Sequence, residues 1–136
     1  MEVVVVEEVE APLDEVWEIA SDFGGIQRWS PAIERCTVTG TGVGAVRSVE
    51  MNGIALSERL EALDNDRHRL QYSIVEGPLP LKNYLATIEV EETAEDRCRI
   101  RWSSTFEPVG LSEEQAKQLI DTIYRQGIQG MRRALV

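Results

Sequence analysis

Arg47 and Glu58 are the residues whose type and placement could do chemistry. They lie in VRSVEMNGIALSER, residues 46–59, on either side of Asn52-Gly53, a dipeptide that favours a two-residue hairpin turn. Such a turn sets 51 opposite 54, 49 opposite 56 and 47 opposite 58. On the second strand the apolar parity is Ile54, Leu56, Leu60 and Ala62, and Glu58 falls among them. On the first strand Val49 and Met51 carry Arg47 to the same side, although Val46 belongs to the other parity. The strand that follows brings either Tyr72 or Ile74 opposite Glu58. Three uses of such a cluster stay open: a buried ion pair that sets register, a polar group that orients a ligand's hydroxyl or carbonyl, or an acid–base centre. In the last, Glu58 acts as acid or base, Tyr72 supports an oxyanion and Arg47 tunes both.

Other chemistries find no support. There is one His, the two cysteines Cys36 and Cys98 are far apart, and the chain has no HExxH, CxxC, GxSxG or P-loop pattern. No metal site and no cofactor are expected. The stretch GTGVG, residues 40–44, lacks a following helix and a Lys, so it reads as a hairpin turn and not as a phosphate loop. Fourteen Lys and Arg against twenty-four Asp and Glu give a net charge of -10, which disfavours nucleic acid and anionic membrane as partners. No run has the length and apolarity of a membrane span, and a reduced, cytoplasmic compartment is the expectation.

The elements that must position these residues follow from periodicity. Residues 2–10 are Val-rich and read as a strand; APLDEVWEIASDF follows with Pro12 suited to a first helical turn and Val16, Trp17, Ile19, Ala20 and Phe23 at helical spacing. GGIQRWSP allows only a brief helical turn before Pro31. Six strands are then expected at 33–39, 45–51, 54–63, 68–75, 84–92 and 97–107, separated by short turn compositions that predict antiparallel pairing. The last segment starts at Ser112 with Gln115 three residues on, a capping-box spacing, and carries Ala116, Leu119, Ile120, Ile123, Tyr124, Ile128, Met131 and Leu135 as one stripe. At 136 residues the chain has the length of one domain, and a long amphipathic helix on a meander sheet makes it α+β.

Inward parity on the remaining strands selects Leu70, Tyr72 and Ile74, then Tyr84, Ala86, Ile88 and Val90, then Cys98, Ile100, Trp102, Ser104 and Phe106. Trp17, Trp29 and Trp102 read first as core aromatics, with Trp102 the best placed to line a cavity. Gly127 and Gly130 interrupt the last helix at roughly 1 kcal/mol each relative to Ala, so they serve either close packing or ligand space. In GPLPLKN, Leu79 and Leu81 either line a portal or pack on the long helix. Arg97, Arg99 and Arg101 are expected in a cross-strand ion ladder with Glu89 and Glu91, and His68 on the solvated surface.

As a set these residues resemble the START/Bet v 1-like superfamily, in its bacterial polyketide cyclase/dehydrase-like branch. The matching pieces are VEAPLDEVWEIASDFGGIQRWSPAI, GTGVGAVRSV, SERLEALD, LQYSIVEGPLP, ATIEVEE, RIRWSSTFEP and the closing helix, in that order over essentially the whole chain. The resemblance implies a helix-grip fold: a curved seven-stranded antiparallel sheet wrapped around the C-terminal helix, with two short helices between strands 1 and 2 and a large cavity inside. It implies that Leu56, Glu58, Leu70, Tyr72 and Ile74 line that cavity with Trp102, Ile123, Tyr124 and Gly127, beside Arg47. Members bind lipids, sterols, polyketides, plant-hormone-like molecules and quinones. The leading expectation is therefore a binding protein for a small, mainly apolar ligand. A cyclase or dehydratase using Glu58 and Tyr72 is the second, although the interior stretches lack the His of dedicated aromatase/cyclases. A protein-interaction module, with its partner unspecified, is the third.

Overall fold

A computed structural model describes residues 1–51 and 53–135. Asn52, the first residue of the expected turn, and Val136 lie outside the described residues. Strand β1 (Glu2–Val9) leads into α1 (Leu13–Ser21) and a short 3-10 segment, Phe23–Arg28. Strands β2 (Arg35–Thr39), β3 (Val46–Met51), β4 (Ile54–Asp64), β5 (Arg69–Glu76), β6 (Leu81–Ala94) and β7 (Arg97–Pro108) follow, and α2 (Glu113–Ala134) ends the chain. All seven strands form one antiparallel sheet in the order β1-β7-β6-β5-β4-β3-β2. This is the helix-grip fold that the resemblance implies.

The period-2 pattern accounts for the sheet's two faces. Val3, Val5 and Val9 of β1 and Cys98, Ile100, Trp102 and Phe106 of β7 are buried, while most residues between them are exposed. The turn between β2 and β3 contains Gly40, Gly42 and Gly44, all at positive φ (89°, 66° and 94°), a left-handed backbone that other residues adopt at a cost. Strand β6 begins at Leu81 and not at the expected 84, with irregular pairing between Lys82 and Leu85 and Asn83 at φ 56°.

The capping box closes on α2 as its spacing predicts. Ser112 Oγ accepts from the Gln115 amide at 3.1 Å and the Ser112 amide donates to Gln115 Oε1 at 3.0 Å. Glu113 and Glu114 in the first turn and Arg132 and Arg133 in the last oppose the helix dipole. Helix α2 packs on β1 and β7, α1 on β6 and β7, and the 3-10 segment on β2. Arg125 and Arg132 tie α2 to β1 through Glu7, at 2.8 and 2.9 Å. The far strands of the curved sheet are left facing the helix across a gap.

Two expectations about the outer surface are corrected. Glu89 and Glu91 do stand opposite Arg101 and Arg99, but the ion pairs form elsewhere. Arg97 reaches Glu10 at 3.1 Å, Arg99 reaches Glu8 at 3.6 Å, and Glu89 pairs with Arg69 at 2.9 Å. Glu8 of β1, Glu10 just after it and Arg69 of β5 offer closer partners than the β6–β7 hairpin does. His68 is half-buried, not fully solvated: it meets the Trp17 ring edge-on with centroids 5.6 Å apart.

Candidate functional site

Strands β3 and β4 pair in the register that a two-residue turn dictates, with Met51 opposite Ile54, Val49 opposite Leu56 and Arg47 opposite Glu58. Both charges point inward and are buried, at 6% and 7% exposure. Arg47 Nε donates to Glu58 Oε1 at 2.8 Å, and Arg47 Nη1 donates to the Phe23 carbonyl at 3.1 Å. The guanidinium lies between two rings, its Cζ 4.2 Å from the centroid of Phe23 and 5.1 Å from that of Tyr72. The opposite charge, a carbonyl and two π faces together make burial of this cation tolerable. Across the next ladder Glu58 stands opposite Ile74, while Tyr72 stands opposite Leu60.

A second polar group is aromatic. Trp102 Nε1 donates to the Tyr72 hydroxyl at 3.2 Å, and the hydroxyls of Tyr84 and Tyr124 hydrogen-bond to each other. Trp102 stacks on Tyr124 with centroids 4.4 Å apart and planes 10° from parallel, and Trp29 meets Trp102 edge-on at 6.0 Å. Burial pushes the hydroxyls of Tyr72, Tyr84 and Tyr124 well above the ordinary phenol range, so each is a protonated hydrogen-bonding group at neutral pH. Burial also raises the thiol of Cys98 to about 11 and that of Cys36 above its ordinary value. Neither thiol lines the space described next.

Between α2 and the concave face of the sheet lies a cavity of about 350 Å³. Its walls include Arg47, Leu56, Glu58, Leu70, Tyr72 and Ile74 from β3, β4 and β5, Trp102 from β7, and Ile123, Tyr124 and Gly127 from α2. The structure thus brings every sequence-selected position to one space. Leu79 and Leu81 also line it, both half-buried, at the junction of the β5–β6 loop with β6.

Gly127 has a different part from the one that ligand space would give it. A Cβ there would come within 2.7 Å of the Trp102 ring and 3.2 Å of Trp29, and a Cβ on Gly130 would overlap the Trp29 carbonyl. Gly127 lets α2 approach the indoles of Trp102 and Trp29, and Gly130 lets it approach the Trp29 backbone carbonyl. The sequence reading leaves out further wall residues: Phe23, Ile26, Trp29 and Pro31 from the segment after α1, Tyr84 from β6, and Gln126 and Arg133 from α2. Tyr84 was legible from its inward parity. The segment from 23 to 31 has no strand period, and only its unusual pairing of bulky apolar residues with Gly and Pro marks it.

Other proteins resemble this chain in sequence or in fold. The chain is 36% identical over 141 residues to the abscisic acid receptor PYL6 of Arabidopsis thaliana, covering 94% of this chain and 66% of that protein. It is 30% identical over 137 residues to the abscisic acid receptor PYL2, also of Arabidopsis thaliana, covering 92% of this chain and 72% of that one. The chain therefore spans about two thirds of the length of these relatives. An uncharacterised protein from Bacillus thuringiensis has the same fold, with a TM-score of 0.91 and 32% identity over 98% of both chains. The family model for polyketide cyclase / dehydrase and lipid transport proteins matches residues 1–136, and the chain belongs to that family.

Proposed function

We propose that this chain binds a small, mainly apolar ligand such as a lipid, polyketide or quinone in the cavity between the sheet and α2. The observation that carries this reading is the cavity itself: about 350 Å³ of space walled mainly by aliphatic and aromatic side chains, with the internally neutralised Arg47–Glu58 pair and the exposed Gln126 and Arg133 among its polar members. Small-molecule pockets generally run from about 300 to 1,000 Å³ and are mostly apolar with a few fixed polar groups. The Arabidopsis relatives are receptors for abscisic acid by name, which supports a small organic ligand. Here Glu58 already holds the interior cation Arg47, which favours a ligand whose buried part is uncharged.

The enzymatic alternative has less support. A general acid or base must be available to the substrate, and the Glu58 carboxylate is held at 2.8 Å by Arg47. The cavity tyrosines stay protonated through the neutral range, so they serve as donors and not as bases. Thermal melting with the neutral dye N-phenyl-1-naphthylamine tests the binding reading. A ligand that binds only the folded state raises the melting temperature with concentration. An unchanged melting temperature at saturating dye contradicts it.

A further inference from the structure

Exposure within the cavity wall is concentrated at one place. Among the described residues, the exposed members of the wall are Pro31, Ala32, Gln126 and Arg133, with half-buried Ser30 next to them in the chain. Gln126 and Arg133 are seven residues apart on α2, close to two full turns, so they share one flank of the helix about 10 Å apart. At Gly130, between them, an added Cβ would overlap the Trp29 carbonyl and stand 3.9 Å from Pro31 Cδ. The segment after α1 thus meets α2 between Gln126 and Arg133, and this junction is the rim at which the cavity reaches solvent.

The rim carries a charge that the wall does not offset. Glu58 is the only carboxylate among the described wall residues, and Arg47 already holds it at 2.8 Å. Arg133 has no ion-pair or side-chain hydrogen-bond partner among the described residues, and neither do the side chains of Gln126 and Ser30. The contrast with the next positions on the helix is sharp. Arg125 and Arg132, each one residue before a rim position and so about 100° round the helix, reach Glu7 of β1 at 2.8 and 2.9 Å. The helix dipole favours a basic residue in the last turn, and Arg132 fills that role while paired. It does not explain a second guanidinium at the edge of an apolar cavity.

We propose that the ligand is an amphiphile with a carboxylate head: its apolar body fills the interior, and the head stays at the rim on the Arg133 guanidinium. This rests on the reading of the cavity as a ligand site and names the class of ligand that the site takes. Gln126 and Ser30 give the same rim uncharged donors. The guanidinium presents its N–H groups in a planar fork that matches the two oxygens of a carboxylate. A phosphate monoester fits the fork as well, but it brings nearly two negative charges to one rim cation on a protein of net charge -10. The head remains in contact with water, so the interior still receives only uncharged matter.

Three probes with one chain and different heads test this: decanoate, 1-decanol and monodecyl phosphate. Calorimetry gives the dissociation constant of each for the parent, for Arg133→Gln and for Lys117→Gln. Lys117 is exposed on α2, outside the wall and about 24 Å along the helix from Arg133, so its loss changes the net charge equally but away from the rim. Both substitutions are at the surface, where folding is little affected. The parent binds decanoate, and more tightly than decyl phosphate. The affinity for decanoate relative to 1-decanol falls roughly fivefold in Arg133→Gln, as expected for one solvent-facing charge-assisted pair, and stays within about twofold of the parent in Lys117→Gln. If 1-decanol binds and decanoate does not, if decyl phosphate is the tighter anion, or if the two variants leave the same relative affinity, the carboxylate head on Arg133 is wrong and the cavity reading stands. If none of the three binds, both fall.

Discussion

Arg47 and Glu58 face each other across β3 and β4 inside the sheet's concavity, Nε to Oε1 at 2.8 Å, each more than nine-tenths buried. Removing one partner strands the other. Glu58→Ala leaves a buried guanidinium with only the Phe23 carbonyl and two rings, and destabilises by about 3–5 kcal/mol. Replacing Arg47 by Met and Glu58 by Leu together recovers most of that loss, less about 1 kcal/mol for the Phe23 carbonyl left without its donor. Urea unfolding of the parent, the single variant and the double variant measures both. A single-variant loss below about 1 kcal/mol, the range of exposed pairs, contradicts this burial.

The pair was legible because two local rules agree. Turn chemistry at Asn52-Gly53 sets the register, and the parity of Leu56 and Leu60 sets the face, so the inward Glu58 follows without knowledge of the rest of the fold. The strand limits were equally local, and most expected boundaries lie within a residue or two of the observed ones. What stayed hidden depends on which strands become neighbours. Arg97 and Arg99 pair with Glu10 and Glu8 because β1 closes the sheet beside β7, a long-range choice that alternation does not encode. The wall formed by Phe23, Ile26, Trp29 and Pro31 stayed hidden for a related reason: an irregular segment has no period that says which way a side chain points.

Gly130 and Gly127 invert an ordinary rule of helix stability. Gly→Ala in a helix interior generally stabilises by about 1 kcal/mol. Here Gly130→Ala drives a methyl into the Trp29 carbonyl and Gly127→Ala drives one against the Trp102 ring. Both variants lose stability, by about 1–3 kcal/mol, with Gly130→Ala the worse because a backbone carbonyl yields less than a side chain. Thermal or urea unfolding gives the sign directly, and a stabilised Gly130→Ala contradicts the close approach of α2 to Trp29.

All three tyrosines of the chain, Tyr72, Tyr84 and Tyr124, belong to the cavity cluster, so phenolate absorbance reports on that cluster alone. Their folded values lie above the ordinary phenol value of about 10, chiefly through burial. The unfolded chain therefore gives up these protons first. Stability is unaffected by them below about pH 10 and falls as the pH rises beyond it, because the folded state there binds more protons than the unfolded state. An alkaline titration followed at 295 nm shows little tyrosinate until the protein unfolds, with the two transitions coinciding. Tyrosinate appearing near pH 10 in still-folded protein contradicts the burial of the cluster.

The central claim, that the space between the sheet and α2 takes a ligand, meets its most direct test in a fluorescence titration with N-phenyl-1-naphthylamine. The parent and Ile123→Trp are compared, the latter filling the cavity from a half-buried wall position on α2 while circular dichroism checks that the fold is kept. Saturable one-to-one enhancement is expected in the parent, with at least a tenfold loss of affinity in the folded variant. Equal binding by the two, or no saturable binding by the parent, contradicts it.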